Sequence, residues 1–184
     1  MGAFSIPERT LIACRMVGLA EEYLDDGKIL SEKMSSSGSG ATLLTLLGLE
    51  IHLKAVVLFR TGKRPANHKF YEIWKKLPEE VQEEVLNEAK DRYPTHTDFN
   101  NFEAILTAFS DAFVAGRYSY EKNDDRTSAE ASEAGERWIA DGGAKERADL
   151  AYYPMERSAL IYALRNYWRR QETVDFDVAG TGIL

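Results

Sequence analysis

The chain has 184 residues, 44% of them hydrophobic and 29% charged, with a net charge of −7. That is enough chain for one domain with its own core, and the acidic balance argues against a generic nucleic-acid coat while leaving room for a local basic groove. The single cysteine, Cys14, excludes an intramolecular disulfide and makes a Cys-based zinc site unexpected. Residues 1–7 lack the basic and apolar regions of a signal peptide. A lone cysteine suits a reducing compartment, so a cytoplasmic protein is expected.

Helical signals dominate. Ser5 and Glu8 form a capping box, with Pro7 in the first turn, and open a helix over 7–26. Its apolar stripe is Leu11, Ile12, Met16, Leu19, Ala20 and Tyr23. Asp25-Asp26-Gly27 is expected to end or bend it, and 28–33 to resume it. The Ser/Gly run 35–40 reads as a flexible loop that supplies a cap. Residues 41–60 are almost continuously apolar, yet Glu50, His52 and Lys54 sit at their centre. Each charge at mid-bilayer costs roughly 2.5–3.5 kcal/mol on insertion scales, so this segment is expected to be the buried central helix of a bundle and not a membrane span.

Lys63, Arg64 and Pro65 mark a basic loop. A short helix over 68–77 follows, with Phe70, Ile73, Trp74 and Leu77. Pro78 restarts the chain into an acidic surface helix, 79–92, whose apolar contacts are Val81, Val85 and Leu86. Tyr93-Pro94 breaks it. Thr97 or Asp98 is expected to cap the next long helix, 98–121, with Phe102, Ile105, Leu106, Phe109, Phe113 and Tyr120 as its stripe. The polar stretch 122–149 reads as a weak surface helix or a mobile segment. The last helix, 150–171, has Pro154 near its start, where proline is tolerated. Residues 173–178 alternate, which allows a short strand or a docking peptide, but a disordered tail is expected. The result is an all-α antiparallel helical bundle with core helices near 7–26, 41–60, 98–121 and 150–171. It forms one domain, 1–172, with a polar insertion at 122–149 and a tail at 173–184.

Polar residues interrupt the apolar stripes at informative places. Glu50 lies among Leu43, Leu46, Leu47, Leu53 and Val57 on a core or interface face, and Arg117 continues the face of Phe109 and Phe113. Both have partners four residues on, Lys54 and Glu121. Such pairs are common surface decoration worth about 0.3–0.5 kcal/mol. The functional alternative is that Arg117, Glu50 and Lys54 meet across two helices in a polar pocket for an oxyanion or phosphate. Tyr118, Tyr120 and the tyrosines and arginines of the last helix, including Arg165, Arg169 and Arg170, suit base stacking and phosphate contact; aromatics at this spacing equally suit a core. His52 points away from Glu50 in helical rotation. His68 fits a cap, a surface residue or an acid–base group, and His96 a surface loop. No HExxH, Cys-pair or EF-hand spacing occurs, so no metal is expected. Neither a GxGxxG, a P-loop lysine nor a GxSxG elbow occurs, so no cofactor is expected either.

The run Leu46-Leu47-Gly48-Leu49-Glu50-Ile51-His52-Leu53-Lys54-Ala55, then Asn67-His68-Lys69 and Leu77-Pro78, then Phe113-Val114-Ala115-Gly116-Arg117-Tyr118-Ser119-Tyr120-Glu121, resembles the HEPN domain. The similarity covers about 41–121. It implies a bundle of four or five helices that pairs as a homodimer in a prokaryotic defence or toxin–antitoxin setting. It also implies binding of nucleotide or RNA and, in many members, RNA cleavage without a metal. In that family an arginine and a histidine a few residues later meet across the dimer. Arg117 matches the arginine, whereas Lys122, Asn123 and Asp124 stand where the histidine falls. Glu50 and Lys54 match polar residues of the preceding core helix, and His68 a histidine after the inter-helix loop. If the chain cuts RNA, the resemblance leaves His68 or Glu121 to replace the missing base.

Three functions are therefore open. One is a HEPN-like module that binds RNA or nucleotide through Arg117, Glu50, Lys54, Tyr118 and Tyr120. Another is a metal-independent endoribonuclease with Arg117, Glu121 and His68 as catalytic residues. The third is a helical accessory protein that binds another protein through 79–92 and 122–149.

Overall fold

A computed structural model describes residues 4–33, 38–117 and 153–180, together with isolated positions between 127 and 140. Among the described residues there are six helices and no strand. These are α1 (Ile6–Lys33), α2 (Gly38–Thr61), α3 (Phe70–Trp74), α4 (Glu79–Arg92), α5 (Phe102–Arg117) and α6 (Pro154–Gly180). The all-α helical bundle is thus as the periodicity implies.

α1 opens on the expected capping box. The Ser5 N–H and hydroxyl both donate to Glu8 Oε2, at 3.0 and 2.6 Å. These bonds hold the exposed Glu8 carboxyl below its ordinary range. The helix does not end at Asp25-Asp26-Gly27 but runs through it to Lys33, so 28–33 is helical as expected. Gly27 is buried against α2, where an added Cβ would lie 2.8 Å from Thr45 Oγ1 and 3.0 Å from Ala41 O. On α2, a Cβ at Gly48 would lie 2.7 Å from Leu24 Cγ and 2.9 Å from Ala20 O. The two glycines let antiparallel α1 and α2 approach closely, and that packing outweighs glycine's low helix propensity. α2 ends at Gly62, which adopts φ 67° and returns its N–H to Leu58 O at 2.8 Å.

α2 lies at the centre and touches α1, α3, α5 and α6. Its Gly40–Thr61 stretch is the one helix among the described residues long and apolar enough to cross a membrane, and 56% of the most apolar window is buried inside the bundle. Leu46, Leu49, Leu53 and Val56 join Phe70, Ile105, Leu106, Leu160 and Leu164 in one continuous core. α3 runs antiparallel to α5, with Phe70 edge-on to Phe109 at 6.1 Å and Trp74 edge-on to Phe102 at 4.8 Å. α6 runs antiparallel to α4, where Asn166 donates to Glu88 at 2.6 Å and Arg170 to Glu84 and Glu88. Beside α2 it runs in the same direction: Arg157 and Ile161 share a cleft with Ala41 and Thr45, while Trp168 meets Phe59 at 5.3 Å.

Several boundaries differ from expectation: α2 already begins at Gly38, within the run expected to be a loop, and α3 ends at Trp74 and not at 77. α3 begins two residues later than expected, because His68 lies outside it in the preceding loop. α5 begins at Phe102, and neither Thr97 nor Asp98 caps it. Asn101 Oδ1 accepts the Ala104 N–H at 3.4 Å, while Asp98 forms a local turn by accepting the Asn100 N–H at 2.9 Å. The segment expected to be a disordered tail continues α6 as far as Gly180. Once a helix is nucleated by its packed part, each further residue adds a hydrogen bond at low entropic cost. Within 122–149 the described Glu130, Glu133, Glu136, Arg137 and Ala140 are helical and exposed, behind a second capping box of Thr127 and Glu130.

Candidate functional site

Glu50 occupies the middle of α2 with 2% of its surface exposed. One turn later, Lys54 Nζ lies 2.8 Å from Glu50 Oε1. His68 comes from the loop between α2 and α3, and its Nδ1 lies 2.9 Å from the same oxygen. The loop is clamped on both sides. Gly62 turns it at one end, and at the other the Phe70 N–H donates to Ser110 Oγ at 3.0 Å. Glu50 is therefore the hub of a small polar cluster set into an apolar helix face.

The geometry assigns the imidazole its tautomer. An ionised carboxylate only accepts hydrogen bonds, so His68 Nδ1 carries the hydrogen and donates it to Glu50. In the neutral imidazole, Nε2 then holds the lone pair. The His68 side chain is 65% exposed, whereas that of Glu50 is 3% exposed. The imidazole is thus fixed at its root by a buried carboxylate and open at its far edge. Such a histidine can take a proton from a bound group at Nε2 and give it back. Lys54, with its side chain 12% exposed, balances the carboxylate's charge. Glu50 Oε2 is buried without a hydrogen-bond partner among the described residues.

His52 faces the other way, as helical rotation requires. Its Nε2 donates to Glu21 Oε1 on α1 at 2.9 Å. Arg165 on α6 grips the same carboxylate through Nε at 2.9 and 2.8 Å, and also through Nη2. Burial alone would raise the Glu21 carboxyl. The hydrogen bonds from His52 and Arg165 outweigh it and hold the group at about 2, below its ordinary 4.5. This triad ties three helices together, across 31 and 144 positions of sequence.

Arg117 closes α5 with its guanidinium 5.2 Å from the centre of the Phe113 ring. Tyr118, Tyr120 and Glu121 lie outside the described residues. The structure thus brings Glu50, Lys54 and His68 together, and sets Arg117 on the Phe113 face of α5. In α6, Tyr167 and Trp168 are core residues and Arg170 is committed to Glu84 and Glu88. The stacking chemistry expected of that helix therefore falls away for these three residues. Among the described residues, no three His, Cys, Asp or Glu side chains gather in a group that could hold a metal ion.

Sequence reasoning passed over a second feature. A cleft of about 470 Å³ opens where the C-terminal half of α1, the start of α2, the end of α4 and the start of α6 converge. Lys28, Arg92, Arg157 and Arg165 line it. Of the four, only Arg165 stood out in the sequence, as part of a basic patch on the last helix, and only the tertiary fold collects them. No family model matches the chain, and neither a curated protein nor a solved structure matches it.

Proposed function

We propose that this chain is a HEPN-like RNA-binding protein in which His68 performs metal-independent cleavage of the RNA. The observation that carries the reading is the Glu50–His68 hydrogen bond of 2.9 Å, which fixes one imidazole nitrogen and leaves the other facing out. The resemblance of 41–121 to HEPN domains supports RNA as the ligand, a homodimer as the working unit and Arg117 as a phosphate contact. Nε2 takes the proton of a ribose 2′-hydroxyl. That oxygen attacks the adjacent phosphorus, the bond to the 5′ oxygen breaks, and the proton passes back to the leaving oxygen. The products are a cyclic phosphate and a free 5′-hydroxyl, and no redox partner is consumed.

Binding of RNA or nucleotide without cleavage is the second reading. Its specific support is that Lys122, Asn123 and Asp124 stand where the family carries its histidine. Binding of a labelled RNA by the natural protein, Arg117→Ala and His68→Ala separates the two. The first reading expects weaker binding for Arg117→Ala, near-natural binding for His68→Ala, and cleavage by the natural protein only. Tight binding with no cleavage by any of the three selects the second reading. Unchanged binding by Arg117→Ala removes that residue from both.

A further inference from the structure

The cleft between α1, α2, α4 and α6 is an electrostatic exception. The chain carries a net −7, yet among the described residues four cations line this cleft against one carboxylate, Asp25, which lies 3.9 Å from Arg165. A concentration of guanidinium groups in a recess of an acidic protein selects for an anion.

Two of the cations, Arg92 and Arg165, are held in position before any ligand arrives, while the exposed Lys28 lies 4.0 Å from Glu32. The Arg92 guanidinium lies between two tyrosine rings, 4.3 Å from the centre of Tyr162 and 5.0 Å from that of Tyr93. Hydrogen bonds from Ser158 and Arg92 lower the Tyr93 hydroxyl from its ordinary range, so the three groups form one polar network on the cleft wall. Arg165 is oriented by its bonds to Glu21, which also offsets part of its charge. α6 begins at this wall with Pro154, and Arg157 and Ser158 lie in its first turns. The positive end of a 27-residue helix therefore adds to the field of the arginines. On the far side of Arg92 and Tyr162 the surface changes sign. There Glu84, Glu88 and Asp91 line a separate groove, in which Arg170 is bound to Glu84 and Glu88. An anion is thus attracted to one side of Arg92 and repelled from the other.

Size and wall chemistry narrow the ligand class. A recess of about 470 Å³ is far larger than an inorganic oxyanion needs and lies in the range of small-molecule sites. Part of its wall is apolar, from Leu24, Pro154 and Ile161, and part carries hydroxyls such as Ser31 and Thr42. We infer that this cleft binds a small organic phosphomonoester, with the phosphate on Arg92, Arg157 and the start of α6 and the organic part against Leu24 and Ile161. This site is distinct from the Glu50–His68 cluster and does not depend on RNA cleavage.

Calorimetric titration of the full chain with ribose phosphate, a nucleoside monophosphate, inorganic phosphate and a terminally phosphorylated RNA tests the inference. The expected result is that at least one of the two small organic phosphates binds more tightly than inorganic phosphate. Arg157→Gln should weaken that binding about tenfold or more. Arg169→Gln, which removes a cation outside the cleft, should leave it unchanged. Arg92→Gln is read only if its thermal melt matches the natural protein, since that side chain also packs on two rings. No binding of either small phosphate, binding no tighter than that of inorganic phosphate, unchanged binding by Arg157→Gln, or binding confined to the phosphorylated RNA would each overturn the inference.

Discussion

His68 and Glu50 are joined by a 2.9 Å hydrogen bond that links an exposed loop imidazole to a carboxylate buried in the middle of α2. Eighteen residues separate them in sequence. The carboxylate fixes which nitrogen carries the hydrogen, so in the proposed cleavage Glu50 acts through His68 and not on RNA directly. Glu50→Gln keeps the size of the side chain but removes the charge that favours the Nδ1–H form. Single-turnover cleavage at saturating RNA should fall at least about tenfold in Glu50→Gln, with RNA affinity unchanged. A loss of affinity with an unchanged cleavage rate would assign Glu50 to binding instead.

The same carboxylate carries a structural cost. Removing it leaves Lys54 nearly buried and without its Glu50 partner. Glu50→Ala should destabilise the fold by about 3 kcal/mol in urea denaturation, in the range for breaking a buried ion pair. Replacing both charges, as Glu50→Leu with Lys54→Met, should recover most of that loss, because apolar groups avoid the desolvation of either ion. Additive losses in the double variant would contradict this description of the pair.

The α1–α2 contact gives opposite signs for the same substitution. A methyl group added at Gly18 would meet nothing within 4 Å, so Gly18→Ala should stabilise by roughly 0.5–1 kcal/mol through helix propensity. Gly48→Ala would put its Cβ 2.7 Å from Leu24 Cγ and 2.9 Å from a backbone oxygen, and should destabilise by about 1–3 kcal/mol. Denaturation midpoints of the two variants decide the matter.

Acid stability should depend on Glu21. Its folded carboxyl titrates at about 2, against an ordinary 4.5, so between those values the unfolded chain binds the extra proton. The contribution of the Glu21–His52–Arg165 triad is therefore complete above about pH 5 and fades as pH falls toward 2. Melting temperatures followed from neutral to acidic pH should show a shallower fall in Glu21→Gln than in the natural protein.

Local periodicity made much of the fold legible. The bounds of α4 coincide with the expected 79–92, and the apolar run of α2 is the buried central helix. Gly27 misled, because the sequence shows its low propensity but not the neighbouring helix that needs the space. Glu50 stood out as a charge on an apolar stripe, and it is buried. Its i,i+4 partner Lys54 was visible for the same reason. The partner from the loop, His68, was not paired with it, since periodicity says nothing about contacts between elements. The Glu21–His52–Arg165 triad and the arginine cleft were invisible on the same ground. Their members lie on three or four helices, so although His52 stood out within an apolar run and Arg165 within a basic patch, nothing in the sequence joined them.

Whether His68 acts as the acid–base group is decided by cleavage of a short RNA in excess chelator, by the natural protein and by His68→Ala, with the product ends mapped. The natural protein should leave cyclic-phosphate and 5′-hydroxyl ends. The variant should cleave at least about 100-fold more slowly, with an unchanged thermal melt. Equal cleavage by both proteins, or none by either, would contradict the role given to His68.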